Sequence, residues 1–248
     1  MNALILAAGY ATRLYPLTLT KAKPLLEVGG KPMIDWVLDN LAGAGDLKTV
    51  YVVTNAKFAK DFETWAKTAQ DRHRHLQIKV INDGSTSDDD KLGAIGDINL
   101  VLTREPEVTK EDLLVVAGDN LFSEPLNAFV DFARKTEATV ALYDVGDLEQ
   151  MKKYAAVTVD ANGVITEFEE KPAKPKTTLA AIALYFYSRE LLSLFTTYIA
   201  AGNNPDQPGR FLQWLYPRKP VKTFQIGGKW LDIGSKETLE AANKSFAV

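Results

Sequence analysis

Residues 3–8 (Ala-Leu-Ile-Leu-Ala-Ala) are apolar without a break and stop at Gly9, and the runs 48–54 and 112–117, each with an apolar centre, read the same way. Apolar runs of this length without alternation mark strands covered on both faces, as in a parallel sheet. Helix-length segments lie among them at 32–44, 58–70 and 92–103. Strand alternating with helix predicts βαβ units and an α/β fold with a doubly wound, mostly parallel sheet.

Past about residue 138 the pattern changes. The runs 139–144, 155–159, 164–168 and 179–187 read as strands joined by short turns, and Asn162-Gly163 suits a hairpin. The second half is expected to add a smaller, partly antiparallel layer, making the sheet mixed. No Ser/Gly linker, repeat or low-complexity tract interrupts the 248 residues, so a single domain is expected.

Composition narrows the chemistry. The net charge is -3 with both signs interspersed, which gives no basic track for nucleic acid. There is no cysteine, so disulfides, thiolate nucleophiles and common structural zinc sites drop out together. His73 and His75 are the only histidines and sit in the polar run 71–75, where they read as solvated loop residues. A Ser-His-Asp triad is thereby disfavoured. No apolar stretch approaches the ~20 residues that span a bilayer, and the N-terminus lacks a signal-peptide pattern. The expectation is a cytoplasmic protein with no membrane or nucleic-acid partner.

The first strand runs into Gly9-Tyr10-Ala11-Thr12-Arg13-Leu14, followed by Lys23-Pro24. A small-residue turn at the carboxyl end of the first parallel strand is where α/β folds receive phosphates, because backbone N–H groups converge there. The turn lacks both Gly-Lys-Ser/Thr and G-x-G-x-x-G, so neither a Walker loop nor a dinucleotide fingerprint is present. Arg13 and Lys23 suit a triphosphate whose pyrophosphate must leave, since cations offset the growing charge. A tight turn carrying two surface cations accounts for the same residues.

Asp119 directly follows an apolar strand, and Asp232 (in Trp230-Leu231-Asp232-Ile233-Gly234) precedes a C-terminal helix. Two carboxylates at strand ends, completed by water and phosphate oxygens, are what magnesium prefers. Either one alone would read as a cap or turn residue.

The long pattern Leu6-Ala7-Ala8-Gly9-x-x-Thr12-Arg13-Leu14-x-Pro16-Leu17-Thr18, then Lys23-Pro24 and Gly30-Lys31-Pro32-Met33-Ile34, resembles the signature of the sugar-1-phosphate nucleotidyltransferases. The glucose-1-phosphate thymidylyl- and uridylyltransferases are the nearest by pattern. The resemblance runs from Leu4 to about Leu239 and implies a Rossmann-like architecture. Residues up to about 137 would bind the nucleotide; about 138–248 would bind the acceptor and hold the C-terminal helix. It stops where longer relatives continue into a β-helix.

Residue by residue, the resemblance implies nucleotide contacts at Leu6, Ala8, Gly9, Asn82 and Gly93. Asp119 and Asp232 would hold Mg2+, and Arg13 and Lys23 would act on the phosphates. Tyr154, Glu170, Lys171, Tyr185 and Trp230 would receive the acceptor, with Glu170 reading sugar hydroxyls and Lys171 meeting the acceptor phosphate. Ala11 and Ala183 stand where the family usually has glycine, and Thr178 where it often has asparagine.

The implied reaction transfers NMP from an NTP, dTTP or UTP favoured, to a sugar-1-phosphate. An ionised acceptor phosphate needs no general base, so catalysis is positioning and charge stabilisation. Two rivals stay open: a CTP-dependent cytidylyltransferase for phosphocholine or a polyol phosphate, and a non-catalytic nucleotide-binding regulator. The acid run Asp88-Asp89-Asp90 reads as a solvated loop, with a cation-attracting rim as the alternative. A homo-oligomer is left open.

Overall fold

The computed structural model describes residues 1–246. It begins with β1 (Asn2–Leu6), a small ribbon of β2 (Glu27–Val28) and β3 (Lys31–Pro32), α1 (Met33–Ala42), β4 (Thr49–Thr54), α2 (Ala59–Arg72) and β5 (Gln77–Asn82). β1 and β4 are almost wholly buried and pair in parallel, with Ala3 opposite Val50 and Leu6 opposite Val53. Unbroken hydrophobicity there reflects cover on both faces. β5 continues the parallel set, Thr54 opposite Asn82, but is only half-buried. α1 buries Met33, Ile34, Val37, Leu38 and Leu41, and α2 buries Ala59, Phe62, Trp65 and Ala69. That three-to-four spacing puts one apolar stripe of each helix inward.

The chain continues through α3 (Ala94–Arg104), β6 (Leu113–Ala117), β7 (Asn120–Phe122), α4 (Asn127–Ala133), β8 (Ala138–Asp144) and α5 (Leu148–Met151). Then come β9 (Ala155–Val159), β10 (Ile165–Glu170), β11 (Leu179–Tyr187), α6 (Ser193–Ala200) and α7 (Pro208–Leu215). Last are β12 (Lys222–Gln225), β13 (Trp230–Asp232) and α8 (Lys236–Ser245).

Backbone contacts gather these elements into two units. One comprises Met1–Gly93, Val116–Asn127 and Gly228–Val248; the other comprises Ala94–Val115 and Ala128–Gly227. The first holds the parallel set β1–β4–β5 and the antiparallel pair β7–β13. Its lower core joins Leu14, Val28, Met33, Leu121, Ile233 and Phe246, with Trp36 edge-on to Phe246 at 5.1 Å. α8 starts at a capping box, the Ser235 hydroxyl accepting from the Thr238 N–H while the Thr238 hydroxyl accepts from the Ser235 N–H.

The second unit is built on antiparallel pairs β9–β10, β9–β11 and β8–β11, with β12 parallel to β8. The Asn162-Gly163 turn closes the β9–β10 hairpin: Gly163 has φ +69°, and Asp160 Oδ1 accepts from the Asn162 and Val164 N–H groups. β10 runs on through Glu170, which pairs with Ala155. Glu169 and Glu170 are therefore ladder residues, where the sequence pattern had stopped the strand at 168. Tyr187, Tyr198 and Trp214 pack around the pair Phe195–Phe211, whose rings stack at 3.8 Å.

His73 differs from its reading as a solvated loop residue. It caps the C-terminus of α2 with Nε2 3.0 Å from Asp39 Oδ1.

Candidate active site

In the first unit the turn after β1 is tied down from two sides. Asn55, fully buried, donates to the Ala8 carbonyl at 2.9 Å and accepts from the Phe58 N–H. Tyr10 lies buried with its hydroxyl 3.3 Å from Ser85 Oγ, which donates to the buried Asp83 carboxylate. Burial raises the Tyr10 phenol, with the hydrogen bond to Ser85 opposing it and the Asp83 charge adding to it. Between these anchors Gly9 is exposed, with open space where a Cβ would point. The loop thus offers backbone at a fixed place with nothing in front of it.

Ala11 sits in the left-handed region at φ 48°, ψ 47°, where glycine carries no penalty and alanine does. Its carbonyl accepts from the Leu14 N–H and the Thr18 hydroxyl, which hold that conformation. Arg13 lies in the following 3-10 turn, exposed and without an ion pair among the described residues.

Asp119 is delivered by a tight approach. Gly118 donates to the Leu6 carbonyl at 2.9 Å, and a Cβ on it would come within 3.1 Å of Leu6 O and Ile5 Cγ2 and 3.2 Å of Pro24. Asp119 forms an ion pair with Lys23 and accepts from the Asn120 amide at 3.1 Å. Asn120 in turn accepts from the Trp230 indole N–H at 2.6 Å. In the β7–β13 ladder Asp232 stands opposite Asn120, one residue from Asp119. The two carboxylates therefore sit at neighbouring strand ends, with Lys23 beside one of them.

These are hard oxygen donors, suited to a magnesium ion that keeps most of its shell on water and phosphate. Among the described residues no group of three or more His, Cys, Asp or Glu could hold a metal. Trp230 is gathered here, in the first unit, with its N–H engaged by Asn120.

Asn82 ends β5 and uses its Oδ1 to accept from the Gly84 N–H, and Gly93 is buried at φ +78°. The acidic run between them is largely occupied with its own loop. Asp90 caps the Thr86 and Ser87 N–H groups, and these bonds pull its carboxyl down to about 2. Asp88 pairs with Lys91 at 3.2 Å.

In the second unit the end of β10 collects the other residues. The Lys171 N–H donates to the Tyr154 carbonyl at 3.0 Å, and Lys171 itself is left-handed at φ 48°. Glu170 is half-buried; loss of solvent raises its carboxyl, opposed by Lys171 and Arg210. Tyr185 is buried on β11, and its phenol is pushed up first by burial and then by the negative charge of Glu170.

Within this unit Tyr154, Glu170, Lys171 and Tyr185 form one neighbourhood; within the first, Lys23, Asp119, Asp232 and Trp230 form another. Sequence reasoning missed the bracket of Asn55, Tyr10, Ser85 and Asp83. It also missed Gly209, whose added Cβ would lie 3.3 Å from Glu170 Oε2. Only Pro208, a helix-start signal, announced that segment.

The sequence model of a family described as nucleotidyl transferase matches residues 2–247. Among solved structures, one from Bacillus anthracis, assigned as a glucose-1-phosphate thymidylyltransferase and holding sucrose, superposes with a TM-score of 0.81. The two are 25% identical over 100% of this chain and 95% of that one. A UDP-glucose pyrophosphorylase with UDP-glucose also gives 0.81, at 22% identity over 99% of this chain and 97% of the other, a likeness of fold. The mixed parallel and antiparallel α/β architecture is the one these neighbours have.

Proposed function

Since the chain belongs to the nucleotidyl transferase family and is a nucleotidyltransferase, we propose that it transfers NMP from dTTP or UTP to a hexose-1-phosphate, releasing pyrophosphate. The observation that carries the reading is the placement of Asp119 and Asp232 at paired strand ends, beside Lys23 and close to the end of β1.

The acceptor's phosphate oxygen forms a bond to the α-phosphorus as the bond to the bridging oxygen of pyrophosphate breaks. The attacking oxygen is already ionised near neutral pH, so no side chain has to remove a proton. The loop at Gly9 receives the triphosphate on backbone N–H groups, and Arg13 offsets charge that grows on the departing phosphates. Lys23 and Lys171 orient phosphate oxygens, and Glu170 accepts from sugar hydroxyls. Asp119 and Asp232 would hold Mg2+, which when bound neutralises phosphate charge. All of this places catalysis in positioning and electrostatics, which suits a chain without cysteine.

The test is pyrophosphate release with four NTPs crossed against a panel of hexose-1-phosphates and phosphocholine. Turnover of a hexose-1-phosphate with TTP or UTP is expected. Turnover confined to CTP with phosphocholine would overturn the reading.

A further inference from the structure

We propose that Gly209 and Arg210, at the start of α7, set the place and the availability of the Glu170 carboxylate and thereby act as acceptor-selecting residues. The inference rests on the reading of Glu170 as the group that accepts hydrogen bonds from the acceptor's hydroxyls.

α7 opens with Pro208, after Gln207 in an extended conformation. Gly209 is buried in the first turn, and its backbone is not in the left-handed region, so the helix itself has no need of glycine there. Space is what requires it. A Cβ at this position would lie 3.2 Å from Phe168 Cζ and 3.3 Å from Glu170 Oε2. Phe168 and Glu170 are two apart on β10 and so share a face of the strand. Both press onto the one bare stretch of helix backbone. A methyl group there would move the carboxylate or the ring by a few tenths of an ångström.

Arg210 stands next in sequence and acts on Glu170 through its charge, yet Glu170 forms no ion pair among the described residues. The guanidinium Nε–H is buried without a hydrogen-bond partner, and so is the Gln207 side-chain oxygen. Arg210 also lines a cavity of about 240 Å³ with Tyr198, Asn203, Asn204, Gln213 and Trp214. A bidentate arginine would occupy both oxygens of the carboxylate. An arginine held near but not paired leaves those oxygens to a ligand while still favouring the ionised form. The charged and titratable groups that act on Glu170 are Lys171 from its own strand end, Arg210 from α7 and the buried Tyr185 from β11. Only the two cations support its charge.

Gly209→Ala and the pair Arg210→Gln and Arg210→Lys test this, with glucose-1-phosphate or whichever hexose-1-phosphate the wild type uses. Alanine is the better helix former but crowds Phe168 and Glu170, so Gly209→Ala is expected to stay folded with only a small change in its melt. Its kcat/KM for the acceptor is expected to fall roughly 3- to 10-fold while KM for the NTP holds, since the displacement is confined to the Glu170 neighbourhood. In Arg210→Gln the acidic limb of acceptor kcat/KM against pH should move to higher pH, because Glu170 has lost a supporting charge. Arg210→Lys should leave the limb near its wild-type place. The acceptor phosphate titrates identically in every variant, so differences between limbs report Glu170. Unchanged acceptor kinetics in Gly209→Ala together with an unmoved limb in Arg210→Gln would overturn the proposal. If Gly209→Ala does not fold, the Arg210 pair decides alone. A wild type that turns over no hexose-1-phosphate sinks the proposed function first and this inference with it. An active wild type with indifferent variants sinks only this one.

Discussion

Among the described residues two side chains occupy backbone conformations that favour glycine, Ala11 and Lys171, both at φ 48°. Each costs on the order of 1 kcal/mol, and each belongs to a stretch proposed to meet phosphate or sugar. Glu170 carries a different cost. Burial raises its carboxyl above the ordinary 4.5, so folding favours the protonated form more than the unfolded chain does. Stability from this group is therefore full below 4.5 and declines as pH rises through the raised value. Glu170→Gln, neutral throughout, is expected to melt at or above the wild type at pH 7, the difference closing below pH 4.5. Its acceptor kcat/KM should nonetheless fall roughly 10- to 100-fold, the loss of a hydrogen bond to a charged group. Thermal melts across pH and steady-state kinetics on one preparation read both; a variant that melts lower at pH 7 contradicts the first half. Asp119→Asn and Asp232→Asn are expected to abolish turnover while melting within about 1 kcal/mol of the wild type, since the Lys23–Asp119 pair is partly exposed. Near-normal rates at saturating magnesium would remove both from the metal assignment. The place of these two aspartates at strand ends is visible in one line of sequence, whereas their assignment to a metal came only from the family resemblance, since either alone reads as a cap or turn residue. Gly209 was not legible, because its reason is a contact with Glu170, which lies 39 positions away in the chain.

Elements show the same division. β1, β4 and β6 were legible as unbroken apolar runs, and β9 and β11 keep the bounds their patterns suggested. β5 was missed: Gln77, Lys79 and Asn82 interrupt its apolar residues, and its half-burial supplies no continuous signal. The short β7 and β13 carry only three residues each and owe their pairing to each other. The loop after β5 is organised by side chains. Asp90 stands where four N–H and hydroxyl groups of Thr86 and Ser87 meet. Its carboxyl drops from 3.8 to about 2, so its contribution is complete above 3.8 and disappears as pH falls toward 2. The Thr86 and Ser87 amide resonances are expected to titrate with a midpoint near 2, and Asp90→Asn should abolish that transition. A midpoint at the ordinary 3.8 would mean that the cap does not form in solution.

At the scale of the whole molecule, the two units exchange chain segments at 93/94, 115/116, 127/128 and 227/228. Periodicity along a sequence reports each element's own faces, and it has no way to report which distant segment completes a core. Ile233, Ala242 and Phe246 show this, since they close the cluster begun by Leu14, Val28 and Met33. A fragment ending at residue 137 would lack all three. It is expected to stay largely unfolded by circular dichroism, whereas a cooperative melt would show that the last strand and helix are dispensable.

The same threading separates covalent continuity from structural integrity. In the exposed connection after β10, Lys171 and Lys174 each precede proline, which trypsin does not cleave, so Lys176–Thr177 is the open bond there. A cut at that bond leaves two pieces, and each piece holds parts of both units: the smaller carries β11 and α7 of one and β13 and α8 of the other. The ladders β8–β11, β7–β13 and β8–β12 then join the pieces without a peptide bond. The nicked protein should run as two bands in detergent and as one species at the original elution volume in gel filtration, a single break being too little to part pieces that share the strand ladders of each unit.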